Sequence, residues 1–317
     1  MKKVLSIGSA LLLCGGSVVA ALAQPSTPES KPVVPKQAPP PRPYLELLAV
    51  GRAPQQVLRF KPALNTKQTA TMTMGMDMGL AISGQPVPIY KLPGTVMTFE
   101  TLVDRIDPNG DIHYQFQYTN VDVVEDSKLP SEQLNKLRTQ LQKLKGIRGR
   151  VVADNRGQTK SGKFELSTEL DSANKQMLKQ ITNSVEQLSS PVPEPALGVG
   201  AKWRVISAPK FNGITLKQVA TYELLSFQEG GMTLRVTLDQ KASPQQMNAT
   251  GLPSGKILNL KSLVGTGQGQ TVVKLDRLIP IDSNMTAQLR SEMVSPNSPK
   301  MMYMTTNTKM KLTLKSQ

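Results

Sequence analysis

From about residue 57 onward, apolar and polar positions mostly alternate with period two, the mark of strands that bury one face. The run Thr71-Met72-Thr73-Met74-Gly75-Met76-Asp77-Met78 puts four methionines on one side and Thr71, Thr73, Gly75 and Asp77 on the other. Residues 94–106 and 112–124 are β-rich and are joined by Asp107-Pro108-Asn109-Gly110-Asp111, which holds the proline, asparagine and glycine of a tight hairpin turn. In the second run Ile112, Tyr114, Phe116 and Tyr118 share a face, with His113, Gln115 and Gln117 opposite. The pair reads as one long, half-buried antiparallel hairpin.

The period changes in the middle of the chain. Over 130–145, Leu134, Leu137, Leu141 and Leu144 recur at spacings of three and four, and Gly146 follows as a stop. Over 171–188, Met177, Ile181, Val185 and Leu188 do the same, ended by Ser189-Ser190-Pro191. Both are amphipathic helices whose apolar stripe needs a sheet or groove to cover it. Between them, 147–166 predicts a short hairpin turning at Asp154-Asn155-Arg156-Gly157. The last third returns to strands at 203–206, 214–227, 232–241, 256–264, 270–275, 285–294 and 301–314, with Glu229-Gly230-Gly231 and Gly265-Thr266-Gly267-Gln268-Gly269 read as turns. The apolar stretch 44–50 precedes the body, which starts near Val57. About a dozen strands and two central helices predict a single α+β, β-dominated domain over 44–317. Its large antiparallel sheet should be curved, as a half-barrel or as two layers.

One segment carries a resemblance. Helix, basic hairpin and second helix lead into Pro193-Glu194-Pro195-Ala196-Leu197-Gly198-Val199-Gly200-Ala201-Lys202-Trp203. This is similar to a Pro-Glu-x-x-Val-x-Val-Gly-Asp-x-Trp segment of a family of exported bacterial proteins, domain of unknown function 6263, with Ala201 in place of the acidic residue. The Thr/Met-rich strand over 66–78, the Asp-Pro-Asn-Gly hairpin, the hairpin over 150–160 and the Thr/Met-rich carboxy-terminal strand resemble that family in order. The likeness spans roughly 57–317. It implies an exported β-rich body without assigned catalytic residues, in the general shape of the curved half-barrels of lipoprotein carriers. A shape of that kind says nothing of function by itself.

The amino terminus adds an address. Met1-Lys2-Lys3 followed by an uncharged, largely apolar run over 4–23, ending Ala21-Leu22-Ala23, predicts a cleaved secretory leader over 1–23 and a periplasmic or extracellular destination. An uncleaved anchor is the first alternative, because the run is just long enough to span a bilayer. A lipoprotein acylated at Cys14 is the second, although Leu13 stands where a small residue is wanted. Residues 24–43 hold eight prolines in twenty positions and predict a disordered linker, extended to roughly 60 Å at about 3.1 Å per residue. Such a linker serves equally as a tether or as a passive spacer.

Composition then removes whole classes of chemistry. One cysteine and one histidine in 317 residues leave no intramolecular disulfide and no site that needs two imidazoles. Aromatics at 4% are too sparse for a base-stacking platform, so nucleic acid is not the expected partner. The chain carries 38 Lys and Arg against 23 Asp and Glu. In the envelope such an excess faces an anionic membrane surface or an envelope polymer, or it is simply a solvated surface. Nine basic residues lie within 131–163 against Glu132 and Asp154, and Lys136, Arg138, Lys143, Lys145, Arg148 and Arg150 are the anionic-surface candidates.

The methionines are the candidates for a ligand groove: Met72, Met74, Met76 and Met78 in one strand, and Met302 and Met304 with Met310, Leu312 and Leu314 in another. Methionine fills irregular cores and lines adaptable apolar grooves, and its thioether also suits Cu(I). His113 beside Asp111 reads as a surface histidine on the polar side of its strand. Asp104, Asp107 and Asp111 read as turn residues, as do Asp276 and Asp282. Neither catalytic residues nor a cofactor are expected. The leading expectation is a non-enzymatic envelope protein binding an apolar or lipid-like ligand between sheet and helices. The alternatives are a structural protein with a filled core and a copper-handling protein.

Overall fold

The computed structural model describes residues 43–87, 93–124, 130–165, 191–211, 214–228, 230–247, 258–295 and 302–317. The elements in chain order are β1 (Tyr44–Ala49), β2 (Lys67–Ile82), β3 (Gln85–Val87), β4 (Thr95–Ile106), β5 (Ile112–Val123), α1 (Ser131–Gln142), β6 (Arg148–Ala153), β7 (Thr159–Glu165), β8 (Lys202–Ser207), β9 (Lys210–Phe211), β10 (Ile214–Thr215), β11 (Lys217–Gln228), β12 (Gly231–Ala242), β13 (Gln245–Met247), β14 (Leu258–Lys274), β15 (Asp282–Ser295) and β16 (Met302–Ser316). Fourteen strands form one open sheet in the order β1-β8-β11-β12-β14-β15-β16-β2-β4-β5-β6-β7, with β3 beside β2 and β13 beside β14. β9 and β10 pair separately. The β-dominated antiparallel architecture expected from the period-two pattern is therefore present as one sheet.

That sheet curls. Laid flat, β14 and β6 would stand about 29 Å apart at roughly 4.8 Å per strand. Yet the amide of Phe60 donates to Asn155 O in the β6–β7 turn, and the next amide, Lys61, donates to Leu275 O after β14. A second tie runs from Arg156 O to the amide of Val192, and the same segment reaches Leu197, which exchanges backbone bonds with Gln56 just before β8. Segments 50–61 and 191–201 thus strap the two flanks of the sheet together at one rim.

The inner face of the curl can be followed tier by tier through the strand register. On the strap side, Leu224, Leu234, Thr271, Ser283, Leu314, Met72, Met97 and Val121 face one another across successive strands. The next tier is Trp203, Tyr222, Val236, Gly269, Met285, Leu312, Met74 and Thr95, with Trp203 stacked on Tyr222 at 5.5 Å between ring centroids. Above it lie Val205, Ala220, Leu238, Gly267, Ala287, Met310 and Met76. Nearly all of these side chains are buried in one continuous core, joined by Phe99, Phe116 and Tyr118 from the β4–β5 hairpin.

Several expectations need correction. The stretch 44–50 is not a lead-in: β1 is an edge strand on β8, and Leu45 and Leu47 pack against the core while a bulge between Leu47 and Ala49 breaks the alternation. Gly265-Thr266-Gly267-Gln268-Gly269 is no turn but the middle of β14, a single strand where two were expected. Its three glycines all point inward, where a Cβ on Gly269 would overlap Met285 and one on Gly265 would lie 2.7 Å from Leu289 Cδ1. The run 214–227 is split at Leu216 into β10 and β11.

The described residues hold one helix. α1 covers most of the first helical stretch and ends at Gln142, a turn through Gly146 (φ 85°) follows it, and Leu141 of the helix and Leu144 of the turn are half-buried against the core. The second expected helix, 171–188, lies outside the described residues, as do the leader and all but the last residue of the linker.

Candidate functional site

The methionine stripes divide along the tiers. Met72, Met74, Met76 and Met310 are sealed in the core. Met78, Met302 and Met304 sit on the same inner face but nearer the rim opposite the strap, and are only half-buried. The boundary is a polar tier: Ser207, Gln218 and Gln240 are buried neighbours on β8, β11 and β12. Gln240 Nε2 donates to Gln218 Oε1 at 2.6 Å and Gln218 Nε2 to Ser207 Oγ at 3.3 Å. Gln240 Oε1 faces Gly265 and has no hydrogen-bond partner among the described residues.

Beyond this tier the inner face is two-sided. On β14, Leu260 and Leu263 are buried with Ile214 and Leu216 in a second small core. On β15, β16 and β2, the register Met293–Met304–Ile82 and the neighbouring Leu80 form an apolar patch that remains half-buried. It is bordered by the Ser291–Thr306 hydroxyl pair at 2.7 Å.

The outer face of the same strands carries a different feature. β4 leaves β2 at the Met74–Thr95 pair, and β3 joins β2 only from Leu80. Between those points lies a depression of about 920 Å³ whose lining includes Asp77, Gln268, Gln288, Lys309 and Lys311, walled by Gly94 and Val124. Sequence reasoning missed this site. Its only signal was the alternation Lys309-Met310-Lys311, which sets two lysines on one face.

Four of the nine basic residues of the 131–163 segment are engaged in ion pairs among the described residues. Lys136 pairs with Glu132, Arg138 with Asp122, Lys160 with Asp111, and Arg156 lies 3.9 Å from Glu194. Arg148 and Arg150 are exposed on the outer face of β6, opposite Glu165 and Lys163 of β7. Lys143 and Lys145 are exposed just after α1. The six candidates are therefore spread over a helix, its exit and an edge hairpin.

His113 is half-buried rather than simply surface-exposed. Its Nε2 lies 2.6 Å from Asp107 Oδ2, and Arg105 approaches both the ring and the same carboxylate. The bond with His113, then Arg105 and Lys160, holds the Asp107 carboxyl below its ordinary range. The arrangement orients an imidazole, yet among the described residues no hydroxyl or thiol is hydrogen-bonded to it. Asp111 is buried, and accepts from Lys160 and Asn109. Asp111 thus staples the β4–β5 turn to Lys160 of β7, while Asp107 ties that turn to β4 and β5. Among the described residues no three His, Cys, Asp or Glu side chains cluster in a way that would hold a metal ion.

Asp122 ties α1 to the sheet and gives a pH signature. Hydrogen bonds from Arg138 Nε and the Val123 amide hold its carboxyl below the ordinary range. A carboxylate with a depressed folded pKa contributes stability in full above its unfolded value, near 4, and loses it as pH falls through the folded value. Hydrogen-exchange protection of α1 is expected to hold at pH 5 and to fall progressively as the pH drops below about 4. Arg138→Met should lower that protection already at pH 5 and flatten the acid dependence.

No family model matches this chain, and no curated protein matches it.

Proposed function

We propose that this chain is an exported cell-envelope protein without enzymatic activity that holds an apolar, lipid-like ligand on the inner face of its sheet, at the rim opposite the strap. The observation that carries this reading is the change along one face: the apolar tiers are sealed up to Met76 and Met310, and the apolar character then continues through Met78, Leu80, Ile82, Met293, Met302 and Met304 at half burial. Half-buried apolar side chains on three adjacent strands offer contact area to a chain-like ligand, and methionine adapts to its shape. The leader over 1–23 and the linker over 24–43 deliver and tether the body, and the resemblance to exported proteins of domain of unknown function 6263 points the same way. The exposed Lys145, Arg148 and Arg150 face an anionic envelope surface.

The filled-core reading has its own support, since Met72, Met74, Met76 and Met310 are core residues. It accounts for the strap half of the molecule. Copper handling is the weaker reading, because those thioethers are already packed against carbon.

Native mass spectrometry of protein purified from its own cells is expected to show a co-purifying lipid mass, and Ile82→Lys with Met304→Lys should remove it without unfolding the body. A bare wild-type mass, or a lipid retained by the double variant, contradicts the proposal.

A further inference from the structure

We propose that the outer-face depression binds an acidic oligosaccharide, as a second site on the side of the sheet away from the apolar patch. The register sets its chemistry. One row across β14, β15, β16 and β2 is Thr266, Gln288, Lys309 and Asp77, and the next is Gln268, Thr286, Lys311 and Gly75. Adjacent same-face positions on a strand lie about 7 Å apart, so Lys309 and Lys311 present two ammonium groups at the spacing of substituents on neighbouring sugar rings.

The surroundings narrow the class. The polar side chains lining the depression are hydroxyls, amides, two ammonium groups and a carboxylate, Val124 gives it one apolar wall, and no aromatic ring is among the residues lining it. Without a ring, a nucleobase has nothing to stack on. Threonine and glutamine both donate and accept, which matches a ligand rich in hydroxyls. Lys311 stands between Gly75 and Thr286, so no carboxylate faces it across either strand pair, whereas Lys309 faces Asp77 directly. A site with one lysine opposed by an acid and one left open disfavours a densely charged polyanion and fits a chain with widely spaced carboxylates.

Size agrees. A depression of about 920 Å³ belongs with clefts that take a molecule of several rings, far beyond one inorganic ion. A Cβ built on Gly75 would meet nothing within 4 Å, so the floor beside Lys311 is open.

Isothermal titration with a hyaluronan hexasaccharide, which carries one carboxylate per two rings, tests the site on the full mature chain. Maltohexaose serves as the neutral control. Wild type is expected to bind the acidic hexasaccharide at least about tenfold more tightly than the neutral one, the effect of one charge-assisted hydrogen bond. Lys309→Gln with Lys311→Gln should remove that preference, and Gly75→Phe should block both sugars while leaving the thermal midpoint close to wild type. Lys202→Gln with Lys217→Gln, on the outer face of β8 and β11, should leave binding unchanged. Equal affinity for the two sugars, no binding of the acidic one, or an equal loss from this second lysine pair would each overturn the assignment.

Discussion

Gly198→Ala is expected to destabilise the protein by roughly 3 kcal/mol, at the upper end of what overpacking costs. A Cβ at that position would overlap Arg52 O and lie 3.1 Å from Pro54 O. Both obstacles are backbone, so no rotamer change relieves them. Gly51 is its counterpart: it has φ +82°, and a Cβ there would overlap Gly198 O and lie 2.6 Å from the Ala201 amide. The two segments meet backbone to backbone, with Gly198 N donating to Val50 O and Arg52 N to Val199 O, both within 2.9 Å. Separating them by even part of an ångström weakens those bonds and the Leu197–Gln56 pair beyond them. Urea unfolding reads the loss. Gly75→Ala is the control, since its Cβ meets open space, and should fall within about 0.5 kcal/mol of wild type. Equal stability of the two variants would mean that the strap is looser than its hydrogen bonds imply.

Gln68→Leu carries the second large effect. Gln68 is 2% exposed, and its Oε1 accepts from the amides of Leu278 at 2.8 Å and Ile279 at 3.1 Å. Its Nε2 donates to Ile279 O at 3.3 Å. One side chain on β2 thus satisfies three backbone groups of the β14–β15 connection, in a place closed to water. Leucine keeps the volume and leaves all three unpaired. Each buried orphan costs about 1–3 kcal/mol before relaxation, and a loss of roughly 3 kcal/mol is expected in total. Gln68→Glu separates hydrogen bonding from packing. A protonated glutamic acid can make all three bonds, while a carboxylate confronts Ile279 O and is desolvated. Its folded pKa should be raised, so this variant should be more stable at pH 5 than at pH 8. A Gln68→Glu protein with no such pH dependence would show that packing, and not the bonding pattern, matters at this position.

Much of the fold was legible because strand residues alternate between two faces. Ile112, Tyr114, Phe116 and Tyr118 are all buried, and the Asp107–Asp111 turn is where its Pro-Asn-Gly content put it, with Gly110 at φ 86°. The glycines of β14 misled because glycine is read by its freedom at turns. Here what counts is the missing Cβ on the crowded side of a tight curl. Their spacing of two, Gly265, Gly267 and Gly269, was the signal of a strand face. β1 was hidden by its bulge, which leaves Leu47 and Leu48 adjacent and spoils the alternation.

The candidate site was legible only in part. The sequence marks which methionines share a face, but burial is decided by the tier each occupies, and tiers exist only once seven or eight strands are in register. The outer depression had even less to announce it. Residue 77 and residues 266–288 meet residues 309 and 311 because β16 lies between β15 and β2, an adjacency that no local pattern encodes.

The strap has a mechanical meaning. Among the described residues, the backbone bonds that tie the two flanks together lie at one end, beside Phe60, Arg156 and Leu197. A shell fastened along a single hem can breathe only by fanning, with the excursion smallest at the fastening and largest at the free lip. Ile82 and Met304 lie at that lip. A guest could therefore slip past them while Trp203 and its neighbours, close to the pivot, stay dry.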